Sequence, residues 1–234
     1  MRNLFGQDIP ATDPGTATDT PTARKKKEPK QPDPNGLRKV GCNRTKGVYF
    51  ARRVKSELNL EETLPWHFEP GAAYHCFSFG DVDSLTYLRA VVKQQPVEYC
   101  LISTWCMAIT DVKEVEKWLE AGYVKRVDWY VGEIFQASYA DVYLYLLGVC
   151  RRHGGRVCVF RNHSKVMAGF GRDFDFTIES SANVNTNPRS EQAVITVDTA
   201  LARFYKEEIF DEIQAFNQDF KTWKPYKLER DETV

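Results

Sequence analysis

AYHCFSFGDVDSLTYLRAVVKQQPVEYCLISTWCMA, residues 73–108, changes its period twice. AYHCFSFG alternates as a strand does, and DVDSLTYLRAVVKQ spaces its apolar residues at helical intervals, with Asp81 near the start. EYCLISTWCMA then returns to strand character. The same alternation runs onward. TDVKEVEKWLEAG (110–122) is a helix that Thr110 can cap and Gly122 can end. KRVDWYVGE (125–133) is a strand, and SYADVYLYLLGVCRRHGG (138–155) a helix closing on a Gly pair. RVCVFRNHSKVMAGF (156–170) is a long strand. FDFTIESSANV (174–184) is another, joined to it by a tight GRD turn. QAVITVD (192–198) is a further strand, and TALARFYKEEIFDEIQAFNQDF (199–220) a C-terminal helix. Strands separated by helices of such length imply an α/β domain with a mostly parallel or mixed sheet, flanked by helices on both faces.

Upstream the composition shifts. Residues 1–47 are rich in Pro, Thr, Asp, Gly and Lys and cannot bury enough surface to order themselves, so they read as a disordered arm. Residues 48–71 lead in, 72–220 form the domain, and 221–234 are a C-terminal tail. Residues 1–55 hold thirteen Lys and Arg against five acids, a net +8 on a chain whose total is zero. The run Arg24, Lys25, Lys26, Lys27 is its densest part. A basic arm on an acidic body suits a polyanion such as nucleic acid, or else serves solubility alone. There is no apolar run long enough to span a bilayer and no secretory leader, so a cytoplasmic protein is expected. Six cysteines, mostly within apolar runs and without CxxC or Cys/His zinc spacing, read as reduced buried thiols.

Chemistry concentrates in residues 156–192. On a strand, His163 and Lys165 share a face, and Ser181 and Asn183 repeat that spacing. If the two segments pair through the GRD turn, an imidazole, an ammonium and two hydrogen-bonding side chains converge, with Glu191 within reach. Such a set can bind and attack a phosphodiester. Each part alone is common; order, spacing and placement carry the weight. Other polar residues read as structural. His75 belongs to a buried strand, His153 is a helix-end cation, and Asn183 and Asn185 also suit turns. Trp105, Trp129 and Tyr130 could stack on bases but more readily pack in a core.

In that order the segment resembles the HxK…GSxN…E signature of the phospholipase D superfamily, particularly its single-motif bacterial endonuclease branch. Two positions depart from the pattern. Phe170 stands where the family has Asp, with Asp173 or Asp175 as possible substitutes, and Ser180 replaces the Gly of GSxN. The resemblance implies a metal-independent phosphodiesterase without a cofactor. His163 would be the nucleophile, forming a covalent phosphohistidine. Lys165 and Asn183 would hold the non-bridging oxygens, with Ser181 a secondary contact, and Glu191 would orient the ring. One signature per chain implies a homodimer whose partner supplies the protonating His. A nuclease acting on DNA or RNA is the leading expectation. A nucleic-acid-binding module without turnover and a phospholipid head-group hydrolase are the alternatives; the latter calls for an exposed apolar rim that the sequence does not reveal.

Overall fold

A computed structural model describes residues 60, 63–79, 82–185, 189–218 and 223–229. The basic arm with Arg24, Lys25, Lys26 and Lys27, most of the lead-in, and Asp81 lie outside them.

The chain forms a seven-stranded sheet of β1 (Ala73–Ser78), β2 (Val97–Thr104), β3 (Val127–Gly132), β4 (Val157–Phe160), β5 (Val166–Gly171), β6 (Asp175–Ser180) and β7 (Glu191–Thr196), in the order β1-β7-β6-β5-β2-β3-β4. The sheet is mixed. β2, β3 and β4 run parallel, while the pairs β1–β7, β7–β6, β6–β5 and β5–β2 are antiparallel. The parallel share is therefore smaller than the alternation implied. Between β5 and β7 no crossover helix is found among the described residues, and β5 and β6 are joined by a turn.

Helices α1 (Ser84–Gln94), α2 (Ile109–Glu120) and α3 (Ala140–His153) cover one face. Their core joins Leu85, Leu88, Val91, Val112, Val115, Leu146 and Val149 to Ile102, Trp129, Val159 and Ile178 of the sheet. The other face packs Tyr99, Leu101, Tyr130, Cys158, Ala168 and Phe170 against Ala202 and Phe210. Those two belong to α4 (Thr199–Arg203) and the π-helical turn Phe204–Phe210 that continues it. Strands covered on both faces bury nearly every side chain, as β2 and β3 do. Trp129 and Tyr130 are fully buried, so neither is available to a base.

Local signals set the helix ends. Asp83 caps α1: its Oδ1 accepts from the Thr86 N–H at 2.8 Å. Thr110 lies inside the first turn of α2, where Asp111 instead accepts from the Ala108 N–H at 2.9 Å. Gly122 and Gly154 end α2 and α3 at φ 74° and 78°, a backbone that side chains resist. Regular helix does not continue to residue 220. Lys206 and Asp211 pair at 2.6 Å in the interior, and the chain then turns to satisfy the open edge of β4. There Phe216 N–H donates to Val159 C=O at 2.6 Å. Asn217 accepts from Val159 N–H at 2.8 Å and donates to Val157 C=O at 2.9 Å. Residues 223–229, without regular structure, return to the second face, where Tyr226 stacks on Tyr99 with ring centroids 5.0 Å apart.

β1 is an edge strand with alternating exposure. His75 is therefore exposed, not a core histidine. The five described cysteines are free. Burial pushes the Cys150 and Cys158 thiols up to about 12.

Candidate active site

The expected long strand 156–170 is two strands. β4 ends at Phe160 on the sheet edge and β5 begins at Val166 on the far side of β2 and β3. Residues 161–165, Arg-Asn-His-Ser-Lys, are the loop that crosses over the C-terminal ends of those two strands. His163 and Lys165 thus stand on a loop and not on a pleated face. The polar run between two apolar ones was the sequence signal for this break.

Asn162 pins the crossing, and sequence reading assigned it no role. It is 4% exposed. Its Nδ2 donates to Ser103 Oγ and to Tyr130 C=O, both at 2.9 Å. Its Oδ1 accepts from Ser164 N–H at 2.9 Å and Ser164 Oγ at 2.7 Å. Ser103 and Ser164 hydroxyls meet at 2.7 Å. One buried amide thereby ties the loop to β2 and β3 with its polar atoms satisfied. Gly132 makes room: a Cβ there would lie 3.1 Å from the Asn162 carbonyl and 3.0 Å from the Trp105 ring.

His163 is exposed above this anchor. Lys165 Nζ lies 3.1 Å from its Nδ1 and donates to its carbonyl at 2.6 Å. The Trp105 ring leans on the imidazole, centroids 5.3 Å apart. Burial lowers the Lys165 pKa from the ordinary lysine value, opposed by Cys106 and Glu191.

β5 and β6 do pair through the Gly171–Asp173 turn, Val166 opposite Glu179, and Ser180 N–H donates to Lys165 C=O at 3.0 Å. Ser181 and Asn183 follow the end of β6 in a loop, so that pleat does not align them. Ser181 Oγ donates to the Glu191 carboxylate and accepts from Gln192 N–H at 3.0 Å. The Glu191 contact is thus to Ser181, while the His163 ring meets Lys165 and Trp105. Asn183 is held by its backbone, its C=O accepting from Ser84 N–H at the start of α1 at 3.2 Å. Its Oδ1 is buried without a hydrogen-bond partner among the described residues. Ser180 does turn chemistry where a glycine was expected: its Oγ accepts from Ala182 N–H at 3.0 Å.

Phe170 is 1% exposed in the second core and offers nothing to the site. Asp173 and Asp175 cannot replace the missing Asp. They sit at the opposite end of the β5–β6 hairpin, a six-residue strand or roughly 20 Å from the site. Asp173 there pairs with Arg172 at 2.9 Å. Glu116, Glu120 and His153 could approach a metal ion, but they lie at the C-terminal ends of α2 and α3, whereas the site is at the N-terminal ends. Arg152 and Tyr145 already engage Glu116.

The geometry defines a mixed α/β protein whose imidazole, ammonium, hydroxyl, amide and carboxylate gather at one end of the sheet. No protein-family model matches the chain, and no curated protein does. Among solved structures it is similar to a phosphatidylserine synthase of Haemophilus influenzae, at 18% identity and a TM-score of 0.41. The match covers 58% of this chain and 37% of that one, so the chain spans little more than a third of that protein's length. At this degree of likeness the site rests on its own residues.

Proposed function

We propose that the chain is a phosphodiesterase of phospholipase D type that cleaves DNA or RNA through a phosphohistidine at His163. The observation that carries this reading is the Lys165 ammonium 3.1 Å from His163 Nδ1, on a loop fixed by Asn162. A bound phosphate draws Lys165 onto a non-bridging oxygen and releases the ring. The unprotonated ring nitrogen attacks phosphorus, one ester oxygen leaves with a proton from a second His163 across a homodimer, and water then hydrolyses the phosphohistidine. Asn183 adds a hydrogen bond to the charge that gathers on phosphorus. Ser181, held on Glu191, shapes the floor. The Glu116, Glu120 and His153 group stands at the far ends of α2 and α3 and takes no part in this scheme. The basic arm supplies affinity for the polyanion.

A second reading has one observation in its favour. Phe77 and Phe79 are 64% and 83% exposed, pack edge to face with centroids 5.3 Å apart, and stand at the end of β1 beside Glu191. This is the apolar rim that a phospholipid head-group hydrolase calls for. The deciding experiment offers labelled single- and double-stranded DNA, RNA and phosphatidylglycerol vesicles in excess EDTA. The acid-labile phosphohistidine is trapped in parallel. Nucleic-acid cleavage with a trapped adduct, both lost in His163→Asn, is expected. Cleavage of vesicles alone selects the lipid reading. Tight DNA binding without cleavage would leave a binding module, and activity restored only by Mg²⁺ or Mn²⁺ would overturn the mechanism.

A further inference from the structure

Beside His163 and Lys165 lies a cavity of about 670 Å³, within the size range of small-molecule sites. It opens where α2 and α3 begin. Met107, Ile109 and Val142 give it apolar walls, and Ser138, Asp141 and Asn185 give it polar ones. In the chain, Cys106 stands between Trp105, which leans on the His163 ring, and Met107, which lines the cavity. The Cys106 thiol donates at 3.2 Å to the Oδ1 of Asn185, itself a wall residue. The reactive set and the cavity thus flank one short segment, Trp105 to Met107.

The chemistry of the walls decides which part of the substrate enters. Among the described residues no Lys or Arg lines the cavity, and its charged group is Asp141. A second phosphate would meet like charge there with no cation to offset it. An uncharged group with apolar faces and N–H or O–H donors meets what it needs, because an ionised carboxylate only accepts. We propose that the cavity seats the nucleoside joined to the scissile phosphate, with Asp141 accepting from its amino, imino or hydroxyl groups. The inference deepens the nuclease reading and rests on it.

The test compares the p-nitrophenyl ester of thymidine monophosphate with methyl p-nitrophenyl phosphate, in EDTA. Ser138→Trp fills the cavity from an exposed loop position, and Asp141→Asn removes the carboxylate without changing its shape. The wild-type protein should favour the nucleoside ester, and each variant should reduce the ratio of the two kcat/KM values, Ser138→Trp by about tenfold. Thymidine alone, titrated into the wild-type protein and followed by NMR, should shift residues at the starts of α2 and α3. An unchanged ratio in both variants, no thymidine binding, or a preference for a glycerol ester over the nucleoside ester would overturn the assignment. Thymidine binding without turnover of either ester would remove the phosphodiesterase reading and leave the nucleoside site standing.

Discussion

In the proposed mechanism Lys165 binds phosphate as the ammonium, and its burial acts against that form. Burial lowers its pKa below the ordinary lysine value of 10.5. If Lys165 holds the phosphate as proposed, recognition is complete while it is charged and is lost as pH rises through that lowered pKa. The pH profile of kcat/KM on a small diester should therefore carry an alkaline limb starting below the usual lysine range. Lys165→Arg should move that limb out of the measurable range, since a guanidinium keeps its charge, and should lower the rate because its planar fork cannot occupy the same point. A limb in the same place in the variant would show that another group titrates. Asn162 acts differently, through position. Asn162→Ala should cost roughly 1–3 kcal/mol of stability from the orphaned hydroxyls and carbonyl. It should also lower kcat by about a hundredfold, because a displacement near 1 Å at the reacting atoms has that effect. Thermal unfolding and turnover, measured together, separate the two.

At the scale of elements, two glycines at opposite ends of the sheet make separable predictions. Gly132 ends β3 beneath the crossing loop, and Gly171 ends β5 at the hairpin, where a Cβ would fall 2.2 Å from the Gln95 amide. That amide clamps the turn, accepting from Asp173 N–H at 2.7 Å and donating to Phe174 C=O at 2.7 Å. Gly171→Ala should thus lose roughly 1–3 kcal/mol of stability, read as a lower unfolding temperature, with its kcat unchanged. Gly132→Ala should lose activity with a smaller stability change, since its Cβ would meet Trp105 and the Asn162 carbonyl at 3.0 and 3.1 Å, a milder clash than the 2.2 Å at Gly171. Equal effects of both on melting and on turnover would contradict this division. The β4 edge follows the same logic of closure: Asn217 meets its N–H and C=O as a neighbouring strand would, and hides an edge that could otherwise pair with another chain.

At the scale of the molecule, one His163 per chain must serve as nucleophile while another serves as acid, if the mechanism is shared across a twofold axis. Wild-type and His163→Asn chains refolded together in equal amounts should then retain about a quarter of the activity, because in an isologous dimer active pairs scale with the square of the wild-type fraction. A linear fall would place the proton donor within one chain, and exposed His75 on the edge strand would be the first residue to replace. Removal of residues 1–55 should weaken binding to long nucleic acid and flatten its salt dependence, since fewer counterions are released. Turnover of a small diester should persist. An unaltered salt slope would give the arm another purpose.

Period and punctuation in the chain were enough to locate β1, β2, β3, β6 and β7, the first three helices and the β5–β6 turn. Alternating and helical spacings are local, as are the Gly122 and Gly154 stops. The order His163, Lys165, Ser181, Asn183, Glu191 was likewise legible, because that pattern is written in spacing. Pairing was not. The stretch 156–170 carries the apolar density of one strand, yet it divides around Asn162 because β2 and β3, more than fifty and about thirty residues earlier, supply the acceptors that a buried amide requires. Only the folded sheet brings Glu191 to Ser181, buries Phe170, Trp129 and Tyr130, leaves His75 and Phe77 exposed on an edge, and ends the last helix early so that Asn217 can close β4. Each of these depends on which strand lies beside which, and so on hydrogen bonds and contacts between residues far apart in the chain.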